Sequence, residues 1–277
     1  MSTPLSYRTI AVASTFSPRF VQVLAEAKRI QDRFASDLHL IYVGERNEET
    51  AERFRKVLAQ LSLPTDSTIY YEQGDAAAGI LRALANNKID MIVAGALEKE
   101  VALHQFLGNV ARTLVREAAC SVLLFTKPET QPKPFRRIVF VADEWYSDHC
   151  REALKTTFHL ALAEACECLY VIRIVTAFDE ARASLRSSDK RDEKPRTLAD
   201  EELLLEKFIL SAGETEVPIE ARCLRGNTGF VVADFVQSVE ADLLVVPIQA
   251  AASGDKWLPS NIAWLTDVIP CNLWVIR

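Results

Sequence analysis

Cysteine, histidine and carboxylate side chains are the first places to look for chemistry; in these 277 residues the six cysteines and four histidines are few, and the 38 carboxylates are spread along the chain. Cys166-x-Cys168, with His149, Cys150 and Asp143 nearby in the chain, supplies the donor types of a soft-metal or redox site. A zinc site needs four converging donors, usually as two spaced pairs, and no second pair accompanies this one. Both cysteines flank the start of an apolar strand, where a thiol packs as a small hydrophobe, so no metal site is assigned. His39, between Leu38 and Leu40, has the setting of a hydrogen-bonded strand histidine, and His104 is the one histidine near the ligand edge identified below. A serine nucleophile of the hydrolase type would need a Gly-x-Ser-x-Gly turn, which does not occur. Asp143 and Glu144 are adjacent, so they are not an acid and base placed across a substrate. No catalytic residue is assigned.

Residues that bind rather than react must be gathered by the elements around them, and those elements are written twice. Ile10-Ala11-Val12-Ala13 returns as Ile138-Val139-Phe140-Val141, and Tyr42 returns as Tyr170, both 128 positions later. Gly74-Asp75 and Gly226-Asn227 are 152 apart, as are Asp90-Met91-Ile92-Val93 and Asp242-Leu243-Leu244-Val245. Cys120-Ser121-Val122-Leu123 and Cys271-Asn272-Leu273-Trp274 close each copy, 151 apart. A fixed offset that grows by about 24 residues between the second and third strands marks a duplicated unit with an insertion in its second copy. The inserted stretch, 177–202, is rich in charge and poor in large apolar groups, the composition of a mobile loop or frayed helix. Thr126 to Pro134 carries three prolines in nine residues and reads as a semi-rigid linker. The expected division is therefore a domain over 1–127, a linker over 128–135 and a second domain over 136–277.

Within each copy, apolar runs of four to six residues alternate with amphipathic stretches. Phe20, Val23, Leu24, Ala27, Ile30 and Phe34 form one stripe at helical spacing, and Leu154, Phe158, Ala161, Leu162 and Ala165 form another. Val110, Leu114 and Ala118 predict a helix before the last strand of the first copy. Runs such as Met91-Ile92-Val93-Ala94, apolar at every position, fit parallel strands covered on both faces. Five strand–helix alternations per copy predict an α/β fold of two doubly wound, five-stranded parallel-sheet domains. In such sheets ligands sit beyond the carboxyl ends of the strands, where the strand order reverses. That singles out Thr15 and Asp143 after the first strands, Val43 after the second, and Gly95 and Gln249 after the fourth. The turns before the next helix add Gly108-Asn109 and Ser260-Asn261.

Composition narrows the partners. The formal charge is −6; residues 1–130 carry 15 basic and 15 acidic side chains, and 131–277 carry 17 and 23. Neither half has the positive balance of a phosphate-backbone binder, so no nucleic-acid partner is expected. The longest apolar runs fall far short of the ~20 residues that span a bilayer, and the first residues do not read as a signal peptide. Six cysteines in a chain this long do not make a disulfide scaffold. A soluble cytoplasmic protein without a membrane partner is the expectation.

In these features, both copies together, the sequence resembles the universal stress protein family, and its tandem two-domain kind in particular. The resemblance rests on Phe16-Ser17-Pro18 after the first strand, Gly74-Asp75 before a helix, Asp90 to Gly95, and Leu107-Gly108-Asn109-Val110 leading to Ala119-Cys120-Ser121-Val122. It implies a Rossmann-like fold of the adenine nucleotide alpha hydrolase type, with the domains paired through their fifth strands. Val122 to Phe125 and Leu273 to Ile276 are the two such strands here, and pairing them would cover both edges. An internal pseudo-dimer is expected on that ground, with further self-association to a homodimer and an unidentified protein partner.

Family members that bind ATP use an Asp after the first strand for adenine, and a Gly-x2-Gly-x9-Gly-(Ser/Thr) loop for phosphates and ribose. Glycines let amides approach phosphate oxygens, and a helix N-terminus adds a favourable dipole. The first copy keeps the spacing as Gly95-x2-Glu98-x9-Gly108-Asn109 but places Glu98 at the second glycine, Asn109 at the hydroxyl, and Thr15 at the adenine Asp. The second copy has Asp143, Ser260 and Asn261, yet Pro247, Ala250 and Pro259 at the glycine positions. Pro259 has no N–H to offer. Of the two, a residual site at Asp143 is favoured over one at Gly108. Trp257 and Trp264 are expected to fill part of the second cleft, and Trp274 to be packed in the last strand. No cofactor is assigned; ATP is the one the resemblance implies, and the altered loops weigh against it. The leading expectation is a stress-response binding or interaction module without turnover. The alternatives are an ATP-binding sensor with slow or no hydrolysis, and a small-molecule or lipid carrier using the vacated clefts.

Overall fold

A computed structural model of the chain describes residues 7–96, 107–143, 145–176, 197–226, 228–249 and 269–277. These residues gather into two compact units, one built from 7–134 with 269–277 and the other from 135–249.

In the first unit the elements alternate as β1 (Thr9–Ser14), α1 (Phe20–Phe34), β2 (Asp37–Val43), α2 (Glu48–Gln60), β3 (Ile69–Glu72), α3 (Ala76–Asn86), β4 (Met91–Gly95), α4 (Asn109–Glu117) and β5 (Ser121–Phe125). The strands run parallel in the order β3-β2-β1-β4-β5. The order reverses between β1 and β4, with Ile10 opposite Met91 and Val12 opposite Val93. Ile10, Val12, Ile92 and Val93 are wholly buried, as expected for strands covered on both faces. The α1 stripe buries Phe20, Val23, Leu24, Ala27 and Ile30, and the helix ends where Ala35 turns left-handed at φ 50°.

The second unit repeats this scheme with β6 (Arg137–Val141), α5 (Asp148–Ala163), β7 (Cys168–Val175), α6 (Leu198–Ala212), β8 (Ile219–Arg225), α7 (Thr228–Ser238) and β9 (Leu243–Pro247). Its parallel order is β8-β7-β6-β9. Most of the charged insertion, 177–196, lies outside the described residues. From Thr197 the chain is helical, started by a capping box in which Thr197 and Asp200 satisfy each other's amides.

Two repeated devices explain why both copies fold alike. Asp90 takes the amides of Arg8 and Thr9 at 2.8 and 2.9 Å, and Asp242 takes those of Arg136 and Arg137 at 2.7 and 2.9 Å. Each carboxylate thus ties the entry of a first strand to the entry of a fourth. Gly74 and Gly226 have φ of 92° and 138°, a region that costs other residues strain, and each turns the chain from a third strand toward the next helix.

The last strand, β10 (Asn272–Ile276), belongs to the first unit and pairs antiparallel with β5, Trp274 lying opposite Leu123. Trp274 is fully buried, with its ring 5.8 Å from that of Tyr7 and 5.9 Å from that of Phe34. The side chain expected to be packed is packed, and the edge of β5 is covered by the strand expected to cover it.

Candidate functional site

Beyond the carboxyl ends of β1, β2, β4 and β5 the first unit opens into a cleft of about 610 Å³. Ala13 and Ser14 from β1, Val43 from β2, Ala94 and Gly95 from β4, and Phe125 from β5 lie at those strand ends. Phe20 and Val23 of α1, Ala76 and Ile80 of α3, and Val110 and Ala111 of α4 supply the walls. This is the reversal point of the sheet, where two neighbouring crossovers leave in opposite directions and a crevice must form.

Local sequence sets each wall. Gly79 lets α3 close on β2: a Cβ there would lie 2.8 Å from Cγ2 of Val43, so only glycine keeps Val43 where it lines the cleft. The N-terminus of α4 follows Gly108, whose amide donates to Ala96 O at 2.9 Å. Helices α2, α3, α5 and α6 begin with a side-chain cap from Asn47, Asp75, Ser147 and Thr197. Helices α1 and α4 have none, and both begin at this cleft. In α1 the Phe20 amide is taken by Ser17 O at 3.1 Å; the other first-turn amides of the two helices have no acceptor within the helix.

Electrostatically the cleft is spare. Among the described lining residues Arg19 is the one charged side chain, beside the hydroxyls of Ser14, Thr15 and Ser17. Ser14 is buried and donates to Val12 O at 3.1 Å. The Ser17 amide leans on Thr15 Oγ1 at 3.4 Å. Behind the rim, Phe16 packs against Phe54, Tyr42 and Phe20 at 4.8, 5.2 and 6.2 Å between ring centres, and the Arg53 guanidinium lies 3.8 Å over Phe16. Close by on α1, Glu26 is buried at 5% exposure. Burial pushes its carboxyl above the ordinary range, opposed by Arg29 alongside.

Four residues singled out from the sequence, Thr15, Val43, Gly95 and Gly108, come together in this one cleft. Asn109 is the first residue of α4 and is exposed, outside the lining. In the second unit Asp143 is half-buried just beyond β6, and Gln249 is exposed two residues beyond β9. Ser260, Asn261, Glu98, His104, Trp257 and Trp264 lie outside the described residues. Sequence reasoning did not assign Phe20, Val23, Ile80, Phe125 or Pro128 to the site, because their apolar types read as core or linker.

The cysteines follow the packing reading. Cys166 is buried, and its thiol donates to Arg136 O and Cys168 O, each at 3.2 Å. Burial raises its pKa to about 11 and raises that of Cys168 as well, the reverse of a reactive thiolate. His39 shares a hydrogen bond of 3.0 Å with the Tyr70 hydroxyl.

A parallel sheet wound both ways, opening at its reversal point and written twice along the chain, defines a tandem Rossmann-like α/β protein. Residues 44–126 and 134–277 match the profile of the universal stress protein family, and the chain belongs to that family. Solved structures agree on the fold. A universal stress protein from Pseudomonas aeruginosa UCBPP-PA14 is 15% identical, with 98% of this chain and 94% of that one covered at a TM-score of 0.71. One from Archaeoglobus fulgidus DSM 4304 is 14% identical, with 97% and 98% covered at 0.64. A protein of unknown function from Pseudomonas aeruginosa PAO1 is 16% identical, with 98% and 93% covered at 0.71. Among curated proteins no sequence matches the chain.

Proposed function

We propose that the chain is a binding module without turnover, and that the cleft of the first unit holds a small ligand in a stress response. The observation that carries this reading is the 610 Å³ cleft itself, which gathers Thr15, Val43, Gly95 and Gly108 at the sheet's reversal point. Its volume falls in the range of small-molecule sites. Its lining is mostly apolar, with two uncapped helix starts to receive one acceptor-bearing end of a ligand. Thr15 brings no charge to the position of the family's adenine Asp, so the cleft suits a ligand held by shape and amide contacts more than a tightly held triphosphate. The described cysteines are thiols, which fits a reducing, cytoplasmic setting.

The test is native mass spectrometry of the full chain purified without added nucleotide, beside calorimetric titration with ATP. Gly95→Trp serves as the variant that fills the cleft. A retained small molecule, or ATP heat, that disappears in Gly95→Trp is the expected result. Binding that survives Gly95→Trp and vanishes in Asp143→Ala would move the site to the second repeat. Phosphate release at a steady rate would replace the binding module by a slow ATPase.

A further inference from the structure

The linker that leaves β5 does not simply depart from the first unit. Phe125 ends the strand and lines the cleft, and Pro128, three residues on, lines it too. The chain is tied on either side of Pro128. Before it, Asn272 Oδ1 accepts from the Thr126 amide at 3.0 Å and from its hydroxyl at 3.3 Å. After it, the Glu129 amide donates to Glu26 Oε1 at 3.3 Å. The other oxygen of Glu26, Oε2, receives Nη2 and Nε of Arg29 at 3.0 and 3.3 Å.

The geometry gives Glu26 a particular leverage. It follows Val23 by three residues and Phe20 by six on α1, the helix whose residues wall the cleft. A buried carboxylate with one oxygen committed to a guanidinium needs a donor for the other, and the linker amide supplies it. Pro128 has no N–H, so lining an apolar cleft leaves it no donor unsatisfied. The remaining tie, Lys133 to Glu129 at 2.9 Å, is an exposed ion pair of the kind worth little.

We infer that Glu26 is a positioning residue of the cleft: by holding the Glu129 amide it keeps Pro128 in the cleft wall, so that filling the cleft and releasing the linker between the repeats are one event. This rests on the cleft being the ligand site, and it adds what a bound ligand would do: free the chain that leads into the second repeat.

The experiment needs no ligand, so its failure is separate from a failure of binding. In the full-length chain, the rate at which a glutamate-specific protease cuts Glu129–Thr130 is measured together with hydrogen exchange of the Glu129 amide. Gly95→Trp, which stands in for occupancy, is expected to raise both about tenfold, the scale of losing one hydrogen bond to a charged group. Glu26→Ala is expected to raise them equally, and combining it with Gly95→Trp adds nothing further. Glu26→Gln, which keeps an acceptor oxygen, stays near the parent rate. Unchanged cutting in Gly95→Trp overturns the coupling, as do effects that multiply in the double variant. Should Glu26→Ala fail to fold, exchange at Glu129 in Gly95→Trp alone decides the matter.

Discussion

The loop after the first strand of each repeat does different chemistry in the two units. In the first, Thr15 is uncharged, and Phe16 leans into Phe20, Tyr42 and Phe54 with Arg53 stacked on its outer face. In the second, Asp143 brings a carboxylate, and Trp145 lies 5.1 Å from the guanidinium of Arg173 on β7, which is paired in turn with Glu201 of α6. Main-chain devices did not diverge with them: Asp90 matches Asp242, and Gly74 matches Gly226. A duplicated scaffold holds what its backbone needs and leaves the loop after each first strand free to change. The units also differ in composition, since β10, from the second repeat, completes the sheet of the first.

That asymmetry is broken most sharply at Trp274. Truncation to Ala removes a fully buried ring from its contacts with Tyr7 and Phe34, at a cost of about 3–5 kcal/mol. Although Trp274 belongs to the second repeat, exchange protection is expected to fall in β1, β5 and α1 while β6 to β8 keep theirs. Loss confined to β6 to β8 would show that β10 serves its own repeat. Asp90→Ala and Asp242→Ala examine the shared device. Each removes a charged acceptor of two amides, so each is expected to cost about 1.5–3 kcal/mol in denaturant melts. Their amide partners differ, so the double variant should show their sum within about 0.5 kcal/mol. Clearly unequal costs would mean that the repeats have drifted in backbone as well as in rim chemistry.

How far this was legible in the sequence depends on what kind of constraint a residue answers. Gly74, Gly226, Asp90 and Asp242 answer backbone constraints that few residue types meet, so their fixed offsets exposed the duplication and the fold. Thr15, Val43 and Gly95 were reachable because strand ends are fixed by topology, and Gly108 because it keeps the loop spacing that the resemblance implies. Phe20, Ile80 and Phe125 were not, since an apolar side chain on a helix or strand carries the same pattern whether it faces the core or a cleft. Pro128 was read as linker from its neighbours Pro132 and Pro134. Its place in the cleft wall shows only in the structure, where the amide of the next residue, Glu129, donates to Glu26, 103 residues away. Asn109 is the converse case: the spacing points to it, and it stands exposed at the start of α4, outside the lining.

Gly79 offers a smaller break. The second repeat has Val231 at the matching place, 152 residues on, so the close approach of α3 to β2 is a property of the first unit. Gly79→Ala would force Val43 aside and is expected to cost about 1–2 kcal/mol as overpacking. The same change should reduce ligand capture by the first cleft. Full stability and unaltered capture in that variant would place Val43 outside the working wall.

The smallest expected effect separates the units by pH. His39, on β2 of the first unit, is half-buried beside the Tyr70 hydroxyl, and burial holds its pKa below the ordinary histidine value, against the pull of Asp37. The second repeat carries Glu167 at the matching position, 128 residues on. A histidine with a depressed folded pKa binds its proton more readily unfolded. Its neutral form therefore adds stability that is complete above the unfolded value of about 6.5 and is lost as pH falls below it. Melting followed between pH 7.5 and 5 should show β1, β2 and β3 loosening before β6, β7 and β8, and His39→Gln should remove that order. A parent chain whose strands loosen together over this range would assign the acid response to groups that the two repeats share.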